Sequence, residues 1–312
     1  MGPLQRNQST LAAGSAKRKL QRYRTLYIML IPAILFLIIF AYFPMYGILI
    51  AFKDYYVNRG ILRSPWVGFE YFQKIFQDPV FWRVFRNTVI ISLQRFITGF
   101  PAPIILALLL NFIRMERFKK TVQTIIYLPH FISWVVISSI IFTLLSENGV
   151  VNSLLLMFQG TKVDFLTNPA YFRPILIISG IWKEVGWGTI IYLASLSAIP
   201  AEQYEAAVID GAGRLKQTLY ITLPSMVPVI VMMLILNAGT LVSSNFDQVF
   251  NLYNPMVYEV GDVIDTYVYR IGITKGNYSV ATAIGLFINV INLVILVTVN
   301  KVSKKATGTG LY

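Results

Sequence analysis

The sequence predicts an all-α, polytopic membrane protein: six transmembrane helices, both termini on the cytoplasmic side, and a helical loop between the fourth and fifth helices. Three observations predict it. Hydrophobic residues fill 56% of the 312 positions and charged residues only 13%, where a soluble domain carries about a quarter charged. The apolar residues gather into six runs of the length a helix needs to cross about 30 Å of hydrocarbon. The 27 Lys and Arg residues, set against 14 Asp and Glu, are unevenly divided between the connections. With no cysteine and one histidine, the composition excludes a disulfide framework, a thiolate metal site and a cysteine nucleophile.

The six runs are Leu26–Phe52, Asn87–Ile113, Thr124–Leu145, Pro174–Ile199, Val227–Phe250 and Ser279–Asn300. Each is expected to be helical, because lipid offers no partner to an open backbone group. The first is too long for a signal-peptide core and no small-residue cleavage site follows it. Six spans place both ends on one side. That side would hold 15 of the 27 Lys and Arg residues, six of them in the tail from Arg6 to Arg24 and four between Arg114 and Lys120. Positive residues favour the cytoplasmic face, so both termini are expected there. The basic tail then suits anionic lipid rather than nucleic acid. Residues 1–25 are expected to form this tail, 26–300 the membrane domain and 301–312 a short C-terminal tail.

In the first external connection, Gly68 to Trp82 sets aromatic residues at helical spacing beside charges. An interfacial amphipathic helix leading into the second span is expected there. The loop 201–224 is long and half apolar. Pro200 ends the fourth span, and Ala201, Glu202, Glu205, Ala206 and Ala207 are strong helix formers with acid in the first turns. Gly211 and Gly213 supply freedom for a sharp turn before a second helical stretch ending at Leu223-Pro224. The glycines fit neither G-x-x-x-x-G-K-[ST] nor G-x-G-x-x-G after a strand, so no nucleotide site is read. A helix showing Tyr204, Val208 and Ile209 to water calls for a protein partner.

Glu205-Ala206-Ala207, then Gly211, then Ile221-Thr222-Leu223-Pro224 resembles the EAA loop of permease subunits in binding-protein-dependent ABC importers. Phe85-Arg-Asn-Thr-Val-Ile, Ala107-Leu-Leu-Leu-Asn, Tyr127-Leu-Pro-His and Ser195-Leu-Ser-Ala-Ile-Pro are similar to the maltose, or multiple-sugar, branch. Pro44-Met-Tyr-Gly47, Ala51-Phe52-Lys53 and Asn254-Pro-Met256 look nearer to permeases for oligosaccharides released from complex polysaccharides. Where many sugar permeases carry Gly-Gly-Pro in the fifth loop, this chain reads Tyr253-Asn254-Pro255. The resemblance implies a pathway shared with a second permease subunit, expected to be a different chain, and a cytoplasmic ATPase dimer. It also implies an extracellular solute-binding protein that delivers a carbohydrate, expected to be an oligosaccharide. Glu205, Ala206, Ala207, Asp210, Gly211, Ile221, Leu223 and Pro224 would form the ATPase-coupling element. The chain itself shows no nucleotide-binding or catalytic motif, so ATP hydrolysis is assigned to the separate ATPase and no cofactor is expected.

Charges inside spans are functional candidates. Glu184 and Trp187, at i and i+3 in the fourth span, pair a carboxylate with an indole, a chemistry suited to sugar hydroxyls and pyranose rings. The alternative is an ion pair of Glu184 with Lys183, or Lys183 reaching the outer surface; Trp182 is grouped with the candidates. In the fifth span Asn237, Ser243, Ser244, Asn245 and Asp247 read either as solute contacts, the role the resemblance implies for this region, or as helix–helix hydrogen bonds. Arg95 reads as structural and His130 as a helix-end residue. An amino acid or anion as solute, an ion-coupled transporter, a channel or a membrane enzyme remain as alternatives. Coupling-ion residues, paired repeats with broken helices and a catalytic constellation are not found in the sequence.

Overall fold

The computed structural model describes residues 23–243, 245–308 and 310, and the chain divides into two units, Met1–Gly68 and Phe69–Tyr312. Among the described residues, six helical stretches are long and apolar enough to span a membrane: Arg24–Phe52, Pro79–Asn111, Trp134–Phe158, Pro169–Ser197, Arg214–Ala238 and Tyr278–Thr307. No strand occurs among the described residues, only a single antiparallel bridge between Lys53 and Trp66.

In the first unit, α1 (Arg24–Leu37) widens into a π-turn over Ile38–Tyr42 and continues as a 3-10 stretch to Phe52. The widening has a local cause. Pro44 has no N–H to give and its ring crowds the carbonyl four residues back, so the turn ahead opens and the Phe43 N–H bonds Ile38 instead. Every residue of α1 is exposed, as expected of an apolar helix whose solvent is lipid. The connection after Phe52 is closed by Lys53, whose Nζ donates to the carbonyls of Ile61 (2.7 Å) and Leu62 (3.1 Å). Phe52 stacks on Trp66 at 5.7 Å.

The second unit opens with α2 (Glu70–Gln77), the amphipathic helix expected from the aromatic spacing. Asp78 then caps α3 (Pro79–Gly99) by accepting from the Val80 N–H at 2.8 Å. The second span therefore begins at Pro79, earlier than Asn87, and runs through Phe100 into α4 (Pro101–Asn111).

The third span departs from the sequence expectation. Residues 124–145 are not one helix. The amphipathic α5 (Glu116–Tyr127) ends in a 3-10 turn at Leu128–Phe131, and a new helix, α6 (Trp134–Leu145), starts after a Ser133 cap. Pro129 cannot continue the ladder, a break that a hydropathy window does not register. The apolar stretch then carries on past Leu145, through a tight turn at Gly149, into α7 (Val150–Gln159).

α8 (Pro169–Ser197) is the central helix and is capped by Asn168, which accepts from the Ala170 N–H. Its two halves join different cores. Phe172 and Leu176 pack with Ile91, Val249, Leu252, Val257 and Val263; Tyr192 and Leu196 pack with Ala107 and Met226. Between these clusters α8 uses small residues. A Cβ on Gly186 would lie 1.9 Å from the Ile126 carbonyl oxygen, so α5 rests directly on the α8 backbone.

Past Ser197 come α9 (Ala201–Ile209), α10 (Arg214–Gln217), a second π-turn at Thr218–Thr222 and α11 (Leu223–Ala238). The fifth span ends at Ala238 and not at Phe250. Thr240 and Leu241 fold back on the Asn237 and Ala238 carbonyls, and Asn292 accepts from the Val242 N–H at 3.0 Å. Asn245, at φ +54°, caps α12 (Phe246–Leu252). The short α13 (Tyr258–Gly261) and α14 (Ile264–Tyr269) follow, and then α15 (Tyr278–Thr307).

The connection between α12 and α15 is fastened by a buried carboxylate. Asp262, 0% exposed, receives Arg270 through both guanidinium nitrogens (2.5 and 3.2 Å) and the Thr266 hydroxyl (2.9 Å). Its own carbonyl accepts from Asn87 on α3. Burial and then the hydroxyl contact with Tyr258 push the Tyr253 phenol up to about 12; burial and then Asp78 raise Tyr267. Removing one partner of such a pair strands the other, at a cost of about 3 kcal/mol. Asp262→Ala is expected to lower the melting temperature and open segment 253–277 to protease, and Asp262→Ala/Arg270→Met to recover part of the loss. Unchanged protease resistance in the single variant would refute this.

Candidate functional site

Between the two apolar clusters lies a cavity of about 460 Å³. Its wall is built by α3 (Ser92, Arg95, Phe96), by Phe100 and Pro103 at the α3–α4 junction, and by α8 (Gly180, Glu184, Trp187, Gly188, Tyr192). Asn237 from α11 and Thr240, Ser243 and Asn245 from the break after it complete the wall. The break matters to the chemistry, because an unwound segment gives a cavity backbone and short polar side chains that a helix face would not. The Ser243 carbonyl accepts from Ser92, which ties the unwound segment to α3.

The sequence candidates divide accordingly. Glu184, Trp187, Asn237, Ser243 and Asn245 share the cavity. Trp182 does not: it lies on another side of α8 and lines a second, apolar cavity of about 430 Å³ with Ile137, Phe165 and Tyr171. Asp247 is exposed on the first turn of α12, outside the cavity lining. Ser244 lies outside the described residues. Arg95, read as structural, contributes to the wall.

Two other readings change. Lys183 and Glu184 do not pair with each other. The Lys183 ammonium, 6% exposed, donates to the carbonyls of Ile132 (2.6 Å), His130 (2.7 Å) and Pro129 (3.3 Å) at the helix break, the last of which also accepts the Ile132 N–H. Glu184 instead meets His130, with Oε2 to Nδ1 at 2.9 Å. The His130 ring also lies flat on Trp187, centroids 4.4 Å apart and planes 2° apart, while Phe131 meets the same indole edge-on. His130 is thus more than a helix-end residue. The only sequence signal for it was Pro129, which marks a break at the level of Glu184.

The 201–224 loop forms two linked arms. α9 ends in Gly211 at φ +74°, with Gly211 N–H on the Val208 carbonyl (3.0 Å) and Ala212 N–H on the Ala207 carbonyl (2.8 Å), a Schellman closure that favours glycine. Tyr204 is half-buried rather than offered to solvent, its hydroxyl 3.0 Å from that of Thr222 in the other arm. Val208 (63%) and Ile209 (86%) remain exposed. Glu205, Ala206 and Asp210 are exposed and Ala207 is half-buried; Ile221 and Leu223 lie on the second arm, just ahead of Pro224.

An all-helical chain with six apolar helices of membrane-spanning length, and a cavity among them that carries polar side chains, defines a polytopic membrane protein. The chain belongs to the family of binding-protein-dependent transport system inner membrane components, which it matches over residues 99–307. It is 44% identical to Protein LplB of Bacillus subtilis, over 99% of both chains. It is also 44% identical to the polygalacturonan/rhamnogalacturonan transport system permease protein YteP of the same organism, over 94% of this chain and 92% of that one. Among solved structures it superposes with a TM-score of 0.87 and 41% identity on a chain of a bacterial ABC transporter involved in the import of the acidic polysaccharide alginate. That likeness covers 94% of this chain and 99% of the other. A second match, at 42% identity, is to the alginate transporter in complex with an alginate pentasaccharide-bound periplasmic protein.

Proposed function

We propose that the chain is one of two permease subunits of an ABC importer and passes an oligosaccharide, most plainly one bearing uronic acid residues, through the cavity on α8. The observation that carries this is the cavity: Arg95, Glu184, Trp187, Asn237, Ser243 and Asn245 converge from three parts of the chain onto one space among apolar spans. Indole and carboxylate suit pyranose faces and hydroxyls, and Arg95 places a positive charge in the same wall. The alginate importer and the polygalacturonan permease, both above 40% identity, support the acidic class.

In this reading the termini and the 201–224 loop face the cytoplasm, as the Lys and Arg distribution favours. The exposed Val208 and Ile209 and the EAA residues meet a separate ATPase, which hydrolyses ATP. Closure of the ATPase dimer moves the loop as a rigid body and turns the cavity toward the binding protein; hydrolysis turns it inward. The second permease is a different chain, and a binding protein delivers the solute from outside.

The chain has no cysteine, so each introduced cysteine is the single thiol on this subunit. Asn237→Cys and Ser243→Cys, in the complex reconstituted with its ATPase, second permease and binding protein, are expected to react with a hydrophilic methanethiosulfonate. ATP is expected to change both rates several-fold. Ile178→Cys, in the apolar second cavity, is expected to stay unreactive. Inert cysteines at 237 and 243 in every nucleotide state would overturn the pathway assignment.

A further inference from the structure

We infer that the Pro129–Ile132 break is the positioning element of the solute site, with His130 orienting Trp187 and Glu184 and Lys183 fixing His130. The inference rests on the proposed reading of the α8 cavity as the solute pathway. His130 is not part of the cavity wall, yet it touches both groups there that suit a sugar.

On Glu184 the imidazole engages Oε2, while Oε1 has no hydrogen-bond partner among the described residues. With the carboxylate ionised, Nδ1 carries the proton and donates to it. One carboxylate oxygen is held by the protein, and the other is left for a sugar hydroxyl. Trp187 is fixed in a parallel way. A stacked imidazole covers one face of the indole, Phe131 meets its edge, and the ring lines the cavity with the rest of its surface. Ring stacking and the hydrogen bond restrict Trp187 and Glu184 in the empty site. The ordering cost is then met on folding and not on each binding event.

Lys183 makes this arrangement possible. Three carbonyls at 2.6 to 3.3 Å around one buried ammonium fix the backbone that carries His130. Consecutive residues of α8 thus hold one segment twice: Lys183 by its main chain, Glu184 by its side chain. Trp187 is one helical turn along, where the stacked ring meets it. The placement of the sugar-binding face therefore depends on residues that need never touch sugar.

The test uses proteoliposomes holding the complete transporter and binding protein, with trigalacturonate as probe, or alginate trisaccharide or maltotriose should trigalacturonate not be carried. His130→Asn keeps a donor near Nδ1 and loses the stacking; His130→Phe keeps the stacking and loses the donor. Each is expected to raise the KM for uptake about fivefold with kcat within twofold, and His130→Ala to raise it more than either. Lys183→Met is expected to raise KM likewise, and Lys183→Arg, which retains donors for the carbonyls, to recover most of the loss. A KM within twofold of wild type in all of these variants would overturn the inference, even if their melting temperatures fall. Glu184→Gln and Trp187→Ala separate the two levels. If they raise KM while the His130 and Lys183 variants do not, the positioning role fails and the pathway stands. If they also leave KM unchanged, or none of the three sugars is carried, the pathway reading itself fails.

Discussion

Replacing Gly211 by proline is expected to leave the protein inserted at wild-type level and reduce uptake at least about a hundredfold. Gly211 has φ +74°, proline is held near −65°, and the Gly211 N–H that closes α9 onto Val208 would be lost. The end of α9 and the direction of the chain beyond it must both change. The damage stays local, since nothing lies within 4 Å of a Cβ at this position, Asp210 before it is exposed and Ala212 after it is only half-buried. Gly211→Ala keeps the N–H and carries only the left-handed strain of about 1 kcal/mol, so it should fall between the two. Uptake of a radiolabelled sugar, with immunoblots of the membrane fraction and of the ATPase that co-purifies, provides the check. Uptake above half of wild type in Gly211→Pro would exclude the loop as the coupling element.

A loss of stability as large as that at Asp262 is expected at Gly186. A methyl group there would overlap the Ile126 carbonyl, 1.9 Å from its oxygen and 2.5 Å from its carbon, and main chain cannot rotate aside as a side chain would. The helices must separate at the point where α5 turns into the Pro129 break. Overpacking of this kind costs about 3 kcal/mol, and Gly186→Ala should lower the melting temperature of the purified protein by several degrees. Gly285→Ala is the comparison: nothing lies within 4 Å of its Cβ on α15, and alanine favours a helix by about 1 kcal/mol over glycine. Equal melting temperatures for the two variants would show that the α5–α8 approach is not tight.

How much of this was legible in the sequence depended on the kind of signal. The six apolar runs were plain, because composition alone determines where lipid can be the solvent. The amphipathic helix ahead of the second span was legible from aromatic spacing, and the turn at Gly211 from glycine chemistry. The internal breaks were not. Hydropathy saw continuous oil across Thr124–Leu145 and Val227–Phe250, whereas Pro129 and the end of the helix at Ala238 interrupt both, with partners supplied by Lys183 and Asn292 from distant parts of the chain. Those partners are tertiary facts, and no window of neighbouring residues contains them. The same limit explains the candidate site. Glu184 and Trp187 stood out as polar groups in oil, while His130, Arg95 and the direction of Trp182 became apparent only once α8 was surrounded.

The second π-turn bears on how the 201–224 loop is clocked. It precedes Pro224 as the first precedes Pro44, and it holds one more residue per turn than an α-helix does. One residue corresponds to about 100° of rotation. Pro224 therefore sets the azimuth at which the fifth span presents Thr222 to Tyr204, and with it the heading of α9. A motif proline that reads in sequence as a full stop works in three dimensions as a phase shift, matching the orientation of a surface helix to that of the helix that crosses the membrane.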